Sequence, residues 1–118
     1  MGEVSGAFGH LVGLAETSCL RRFLAVLDEW APVETVAPEG RGILLEKRLI
    51  LRGTWEEGDD ARCPLSWLGY RPDARYPSAR TGAAVNAFTL RWDAEGERAF
   101  NRERMREALV AELARRPA

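Results

Sequence analysis

The sequence predicts a helix-rich α+β domain, with terminal amphipathic helices packed on a small antiparallel sheet. Three observations lead there. Apolar residues recur at three- and four-residue steps near the N-terminus and again near the C-terminus, the spacing of a helix with one buried face. Residues 43–52 between them alternate with the period of a strand. Turn-forming Gly and Pro flank that stretch on both sides. An all-α bundle is the alternative, because the Leu, Glu, Lys and Arg of the alternating stretch are also good helix formers.

The first stripe runs through Phe8, Leu11, Val12, Ala15, Cys19, Phe23, Val26, Leu27 and Trp30. Arg21, Arg22, Asp28 and Glu29 fall on the opposite face, and Ala31-Pro32 supplies a stop. If Gly13 breaks the run, two helices result, at 6–15 and 18–30, with Thr17 or Ser18 capping the second. Residues 33–37 are rich in β-branched side chains and lead into Pro38-Glu39-Gly40-Arg41-Gly42, which suits a hairpin. On the far side, 43–52 reads as one strand with Ile43, Leu45, Leu49 and Leu51 on the same face as Lys47.

Residues 53–82 are rich in Gly and Pro among Asp, Ser, Thr and Arg, and predict a long irregular segment. One helical turn fits at 64–68, where Pro64 would open it and Gly69 close it. From 84 to 92 the pattern fits two periods. Phe88, Leu90 and Trp92 share a strand face, whereas Val85, Phe88 and Trp92 share a helix face; the strand is preferred, as the third member of the sheet. The last element is a helix over 101–115, capped by Asn101, with Met105, Ala108, Leu109 and Leu113 on one side and a Glu103–Arg106 pair on the other.

The chain has 118 residues, 46% hydrophobic and 30% charged, which predicts a single domain over 1–118 with its own core. No stretch approaches the roughly 20 apolar residues of a membrane helix, and Met1 to Gly9 do not read as a secretory signal, so a cytoplasmic protein with no membrane partner is expected. Net charge is −1, which gives no overall field for nucleic acid. The charge is uneven. Residues 1–61 hold eleven acids and six bases, whereas residues 62–118 hold seven acids and eleven bases.

Sixteen of the seventeen basic residues are Arg, Lys47 being the exception. Two explanations compete. Arg offers a planar fork for phosphates, carboxylates and carbonyls that Lys lacks. A GC-rich coding sequence would give the same skew, and it would also account for the seventeen Ala and the absence of Gln.

The candidate working surface is the irregular segment 54–82, since long ordered loops commonly carry function. Its 70–80 portion holds Tyr70, Arg71, Arg75, Tyr76 and Arg80, with Arg62 and Trp67 nearby. Arg can grip phosphates while aromatic rings stack on bases, so these seven residues could form a nucleic-acid or phosphate-ligand site. The same residues could equally anchor a protein interface, or pack on their own domain through Asp73 and the tyrosine hydroxyls.

No catalytic set emerges. Cys63 could act as a nucleophile only with a base and an orienting group, and the single histidine, His10, falls inside the first predicted helix. Cys19 and Cys63 read as buried free thiols. Neither they nor His10 has metal-ligand spacing, and Glu56-Glu57-Gly58-Asp59-Asp60 lacks the alternation of a calcium loop. Neither a metal nor a cofactor is expected. The leading expectation is a small non-catalytic interaction or regulatory protein that binds a protein partner or self-associates. Nucleic-acid or phosphate binding comes second, and a Cys-dependent enzyme third.

Overall fold

A computed structural model describes residues 2–30, 35–36, 42–44, 49–71, 75–98 and 100–117. The predicted turn at 38–41, Lys47 and Asp73 lie outside them, as does the side chain of Trp30. The architecture is helix-rich α+β. In chain order the elements are α1 (Gly2–Leu14), α2 (Thr17–Trp30), β1 (Thr35–Val36), β2 (Gly42–Leu44), β3 (Leu49–Leu51), β4 (Ala61–Arg62), α3 (Pro64–Trp67), α4 (Ala79–Glu95), a 3-10 turn (Gly96–Arg98) and α5 (Arg102–Arg115).

The helices pack on one another: α1 lies along α4, α2 lies along α5, and α1 also touches α5. Each turns its apolar stripe inward. Phe8 and Leu11 of α1 are fully buried, as are Leu20, Phe23, Val26 and Leu27 of α2 and Met105 and Leu109 of α5. Phe8 sits at the centre of an aromatic cluster, 5.4 Å from Phe88 and 4.6 Å from Phe100 between ring centroids, and Phe88 stacks on Trp92 at 6.2 Å. Burial of such rings is the main driving force at this size.

The segment 84–92 is helical, which corrects the strand expectation. Ser78 caps α4 by accepting the Thr81 N–H at 3.2 Å, and Ala83, Ala84 and Ala87 favour the helix that follows. The buried positions are Thr81, Ala84, Val85, Phe88 and Trp92, at helical spacing, while Leu90 is 63% exposed. A strand would have buried Leu90 beside Phe88 and Trp92. Both periods fitted the apolar residues, and the cap with the alanines decided between them.

The stretch 43–52 also differs from one continuous strand. Its ends, β2 and β3, pair antiparallel with each other, Gly42 opposite Leu51 and Leu44 opposite Leu49. Folding back lets the two halves satisfy each other's backbone groups while Ile50 and Leu51 enter the core. Gly42 is required there, because a Cβ would fall 2.0 Å from the Ile50 carbonyl oxygen. β1 pairs antiparallel with β2, as the hairpin reading expected. The place intended for 84–92 is taken by β4, which runs parallel to β3, so the sheet has the order β1-β2-β3-β4 and is mixed.

α3 matches its expectation. Pro64 occupies the first turn, Gly69 takes a φ of +97°, and the Tyr70 N–H returns to the Leu65 carbonyl at 2.9 Å. Asn101 caps α5 by accepting from the Arg104 N–H at 3.0 Å. In place of a direct Glu103–Arg106 hydrogen bond, each side chain takes another partner. Arg106 Nε donates to Asp28 on α2 at 2.8 Å, and Glu103 accepts from Arg102.

Three arginines close helix ends. Arg116 donates to the carbonyls of Val12, Gly13 and Ala15 at the end of α1 (3.3, 3.1 and 2.7 Å) and to Thr17 Oγ1 at 3.0 Å, while its Nε donates to Glu112 at 2.8 Å. Thr17 therefore opens α2 as an acceptor for Arg116. Arg52 donates to the carbonyls of Asp93 and Ala94 at the end of α4 (2.9 and 3.1 Å). Arg102 Nε donates to the Leu27 carbonyl in the last turns of α2 at 2.8 Å. The final carbonyls of a helix lack intrahelical donors, and a planar fork reaches several of them together, as an ammonium cannot. Among the described residues no helix is long and apolar enough to cross a membrane.

Candidate functional site

The segment 54–82 is more ordered than its composition suggests. Trp55 and Cys63 close a small hairpin, with the Cys63 N–H donating to the Trp55 carbonyl at 2.9 Å and the Glu57 N–H to the Ala61 carbonyl at 2.8 Å. Its tip, Glu56 to Asp60, is exposed, in keeping with a solvated acidic turn. Arg62 leaves the hairpin over the Trp67 ring, 5.4 Å from its centroid, with Glu56 at 3.9 Å and the fully exposed Asp59 at 3.5 Å. The Arg62 Nε is buried without an acceptor among the described residues.

The seven predicted site residues divide. Arg62, Tyr70 and Arg71 line one cleft of about 190 Å³, and Trp67 joins Arg62 in the adjoining groove. Trp67 is 2% exposed. Tyr70 donates its hydroxyl to the Leu11 carbonyl at 2.6 Å, and burial pushes that hydroxyl up to about 12. Tyr76 donates to the Arg71 carbonyl at 3.0 Å, with its ring 6.3 Å from that of Tyr70. Arg75 is exposed. Arg80 lies apart, in a groove between α1 and α4 that it shares with His10 and Ala83.

Four residues outside the predicted set complete the cleft. Cys19 and Arg22 come from α2, Ser66 from α3, and Glu56 from the hairpin. Cys19 is half-buried at the cleft wall, which corrects the expectation of a buried thiol. Ser66 Oγ donates to Glu56 Oε2 at 2.6 Å, and this bond, with the charges of Arg62 and Arg71, holds the Glu56 carboxyl below its ordinary value of 4.5. Glu56 is therefore a carboxylate at neutral pH. Gly69 lets α3 approach α2 closely, since a Cβ there would fall 3.0 Å from Cys19 Sγ. No short-range signal could have found Arg22, because it stands forty positions from Arg62 and looks like any solvated helix residue.

Cys63 lies beneath the loop in a small cavity of about 50 Å³ walled mainly by Trp55, Leu65, Phe88 and Trp92, with Thr54, Thr89 and Asp93 also lining it. Burial pushes its thiol up to about 11, so the thiolate is scarce at neutral pH. His10 is committed elsewhere, its Nε2 3.0 Å from Thr81 Oγ1. Among the described residues no group of three or more His, Cys, Asp or Glu side chains could hold a metal ion. Comparison with protein-family models, with curated proteins and with solved structures finds no match for this chain.

Proposed function

We propose that this is a non-catalytic interaction protein that works through the face built on residues 54–82, and that it takes an acidic protein segment there. One observation carries the reading. Arg71, Arg75 and Arg80 are exposed, and none of their guanidiniums has a hydrogen bond or ion pair among the described residues. Exposed guanidiniums with free donors are effective anchors for carboxylates, which they can grip through two parallel hydrogen bonds. The raised Cys63 thiol speaks for binding over thiol catalysis.

Nucleic acid is the less supported partner. Holding a single strand without sequence reading uses aromatic faces on which bases stack. Trp67 is buried, and the hydroxyls of Tyr70 and Tyr76 are tied to backbone carbonyls of their own domain. The arginines retain charge for a partner, but the rings give little open surface to a base.

Fluorescence anisotropy of a labelled acidic peptide and a labelled single-stranded oligonucleotide, at low and physiological salt, tests the choice. Salt-sensitive binding of the peptide, lost in Arg71→Ala/Arg75→Ala/Arg80→Ala, is the expected result. Tighter binding of the oligonucleotide would transfer the face to nucleic acid. Absence of binding by either probe at low salt would overturn the reading.

A further inference from the structure

We propose that the cleft between α2 and the Arg62–Arg71 segment is a binding site for a phosphate monoester dianion. The inference deepens the interaction reading by giving that face a specific pocket. It does not require the partner to be a protein.

Three arginines line the cleft from three separate elements: Arg22 from α2, Arg62 from the end of β4, and Arg71 from the segment after α3. The guanidiniums of Arg22 and Arg71 have no hydrogen bond or ion pair among the described residues. The Nε–H of Arg62 is buried without an acceptor there. A buried donor left unmet is costly.

Glu56 is the opposing charge, and it is already engaged by Ser66 at 2.6 Å and by Arg62 at 3.9 Å. The lining of the cleft itself holds three arginines and one carboxylate, an excess of positive charge that Asp59 and Asp60 in the adjoining groove reduce. A carboxylate ligand has two oxygens and is satisfied by a single guanidinium fork. A phosphate monoester presents three terminal oxygens and nearly two charges, which suits three guanidiniums arriving from different directions. The volume of about 190 Å³ leaves room for the ester arm as well as the phosphate. Asp59 competes for Arg62 from the adjoining groove, at 3.5 Å and full exposure, where an ion pair is weak.

Titration of the full chain with inorganic phosphate at low ionic strength, followed by calorimetry and by arginine side-chain NMR, tests the site. Saturable one-site binding is expected, weakened about tenfold or more by Arg22→Ala or by Arg71→Ala. Asp59→Asn should tighten it, and Arg75→Ala/Arg80→Ala should leave it unchanged. Phosphoserine and a phosphoserine-containing peptide, run in parallel, separate the sources. Affinity that rises no further beyond phosphoserine indicates a small phosphorylated ligand, and a further rise with the peptide indicates a phosphorylated partner segment. Absence of saturation, indifference to Arg22→Ala, or equal competition by acetate would overturn the proposal. Arg71 is common to both tests, so Arg22→Ala and Arg75→Ala/Arg80→Ala separate them: peptide binding that survives Arg22→Ala but is lost in Arg75→Ala/Arg80→Ala would stand even if phosphate fails to bind.

Discussion

Arg52, Arg102 and Arg116 differ from Arg22, Arg71, Arg75 and Arg80 in what their guanidiniums meet. The first group meets backbone carbonyls near the ends of α4, α2 and α1. The second meets no hydrogen-bonding partner among the described residues. Composition alone could not separate them, since every one is an Arg in a chain with a single Lys. Three members of the skewed set thus use the guanidinium to hold the fold, and four have guanidiniums without a hydrogen bond or ion pair among the described residues. Substitutions in the two groups should therefore act on different observables.

Arg116→Ala should show the largest effect. It removes donors from three carbonyls and from Thr17, and a loss of about 2–3 kcal/mol in urea unfolding is expected. Arg116→Lys sharpens the point. It keeps the charge but not the fork, and should recover only a minor part of the loss. Recovery to wild-type stability would mean that charge near the helix end, and not geometry, is what Arg116 supplies. Arg52→Ala should follow at about 1–2 kcal/mol, because two carbonyls lose their donor while the Gly53 N–H keeps its bond to Asp93.

A smaller effect, dependent on pH, should appear at Glu112. Hydrogen bonds from Arg115 and Arg116 hold its carboxyl below the ordinary 4.5. A carboxyl whose pKa falls on folding adds stability that is present above its unfolded pKa and is lost as pH drops through the folded one. Glu112→Gln should accordingly be less stable than wild type at neutral pH, and the two unfolding curves should converge well below pH 4.5. A constant difference across that range would place the effect in packing.

Least affected in stability should be Arg75→Ala/Arg80→Ala, within about 0.5 kcal/mol of wild type, even as anionic peptide binding is lost. Destabilisation beyond about 1 kcal/mol would move these arginines into the structural group.

The two terminal regions were legible because each carried several agreeing signals. Asn101 caps α5 and Met105 and Leu109 follow on one face, while α2 presents Leu20, Phe23 and Leu27 to the core with Arg21 and Arg22 outside. Pro64 and Gly69 framed α3 for the same reason: fixed φ at one end, positive φ at the other. Where a single signal stood alone, it misled. Phe88 and Trp92 fit both periods, and 43–52 alternated without saying that it reverses. β4, two residues long, had no pattern to read.

Of the cleft, Arg62, Tyr70 and Arg71 were named from local composition, whereas Arg22, Cys19, Glu56 and Ser66 were not. Nothing local links α2 to the hairpin. That Trp67 and Tyr70 turn inward was equally hidden, because an aromatic side chain in a loop has the same composition whether it faces solvent or core.

By itself the sequence determined the helix-rich α+β class, the helices at both ends, the turn at Pro64 and the location of a polar, arginine-bearing segment, all properties carried by spacing, caps and backbone preferences within a few residues. Tertiary structure alone decided which arginines close helices, how the sheet pairs, and that Arg22, Arg62 and Arg71 line one cleft. Those outcomes depend on contacts between residues tens of positions apart, where the acceptor of a guanidinium is fixed by packing and leaves no trace in the neighbouring sequence.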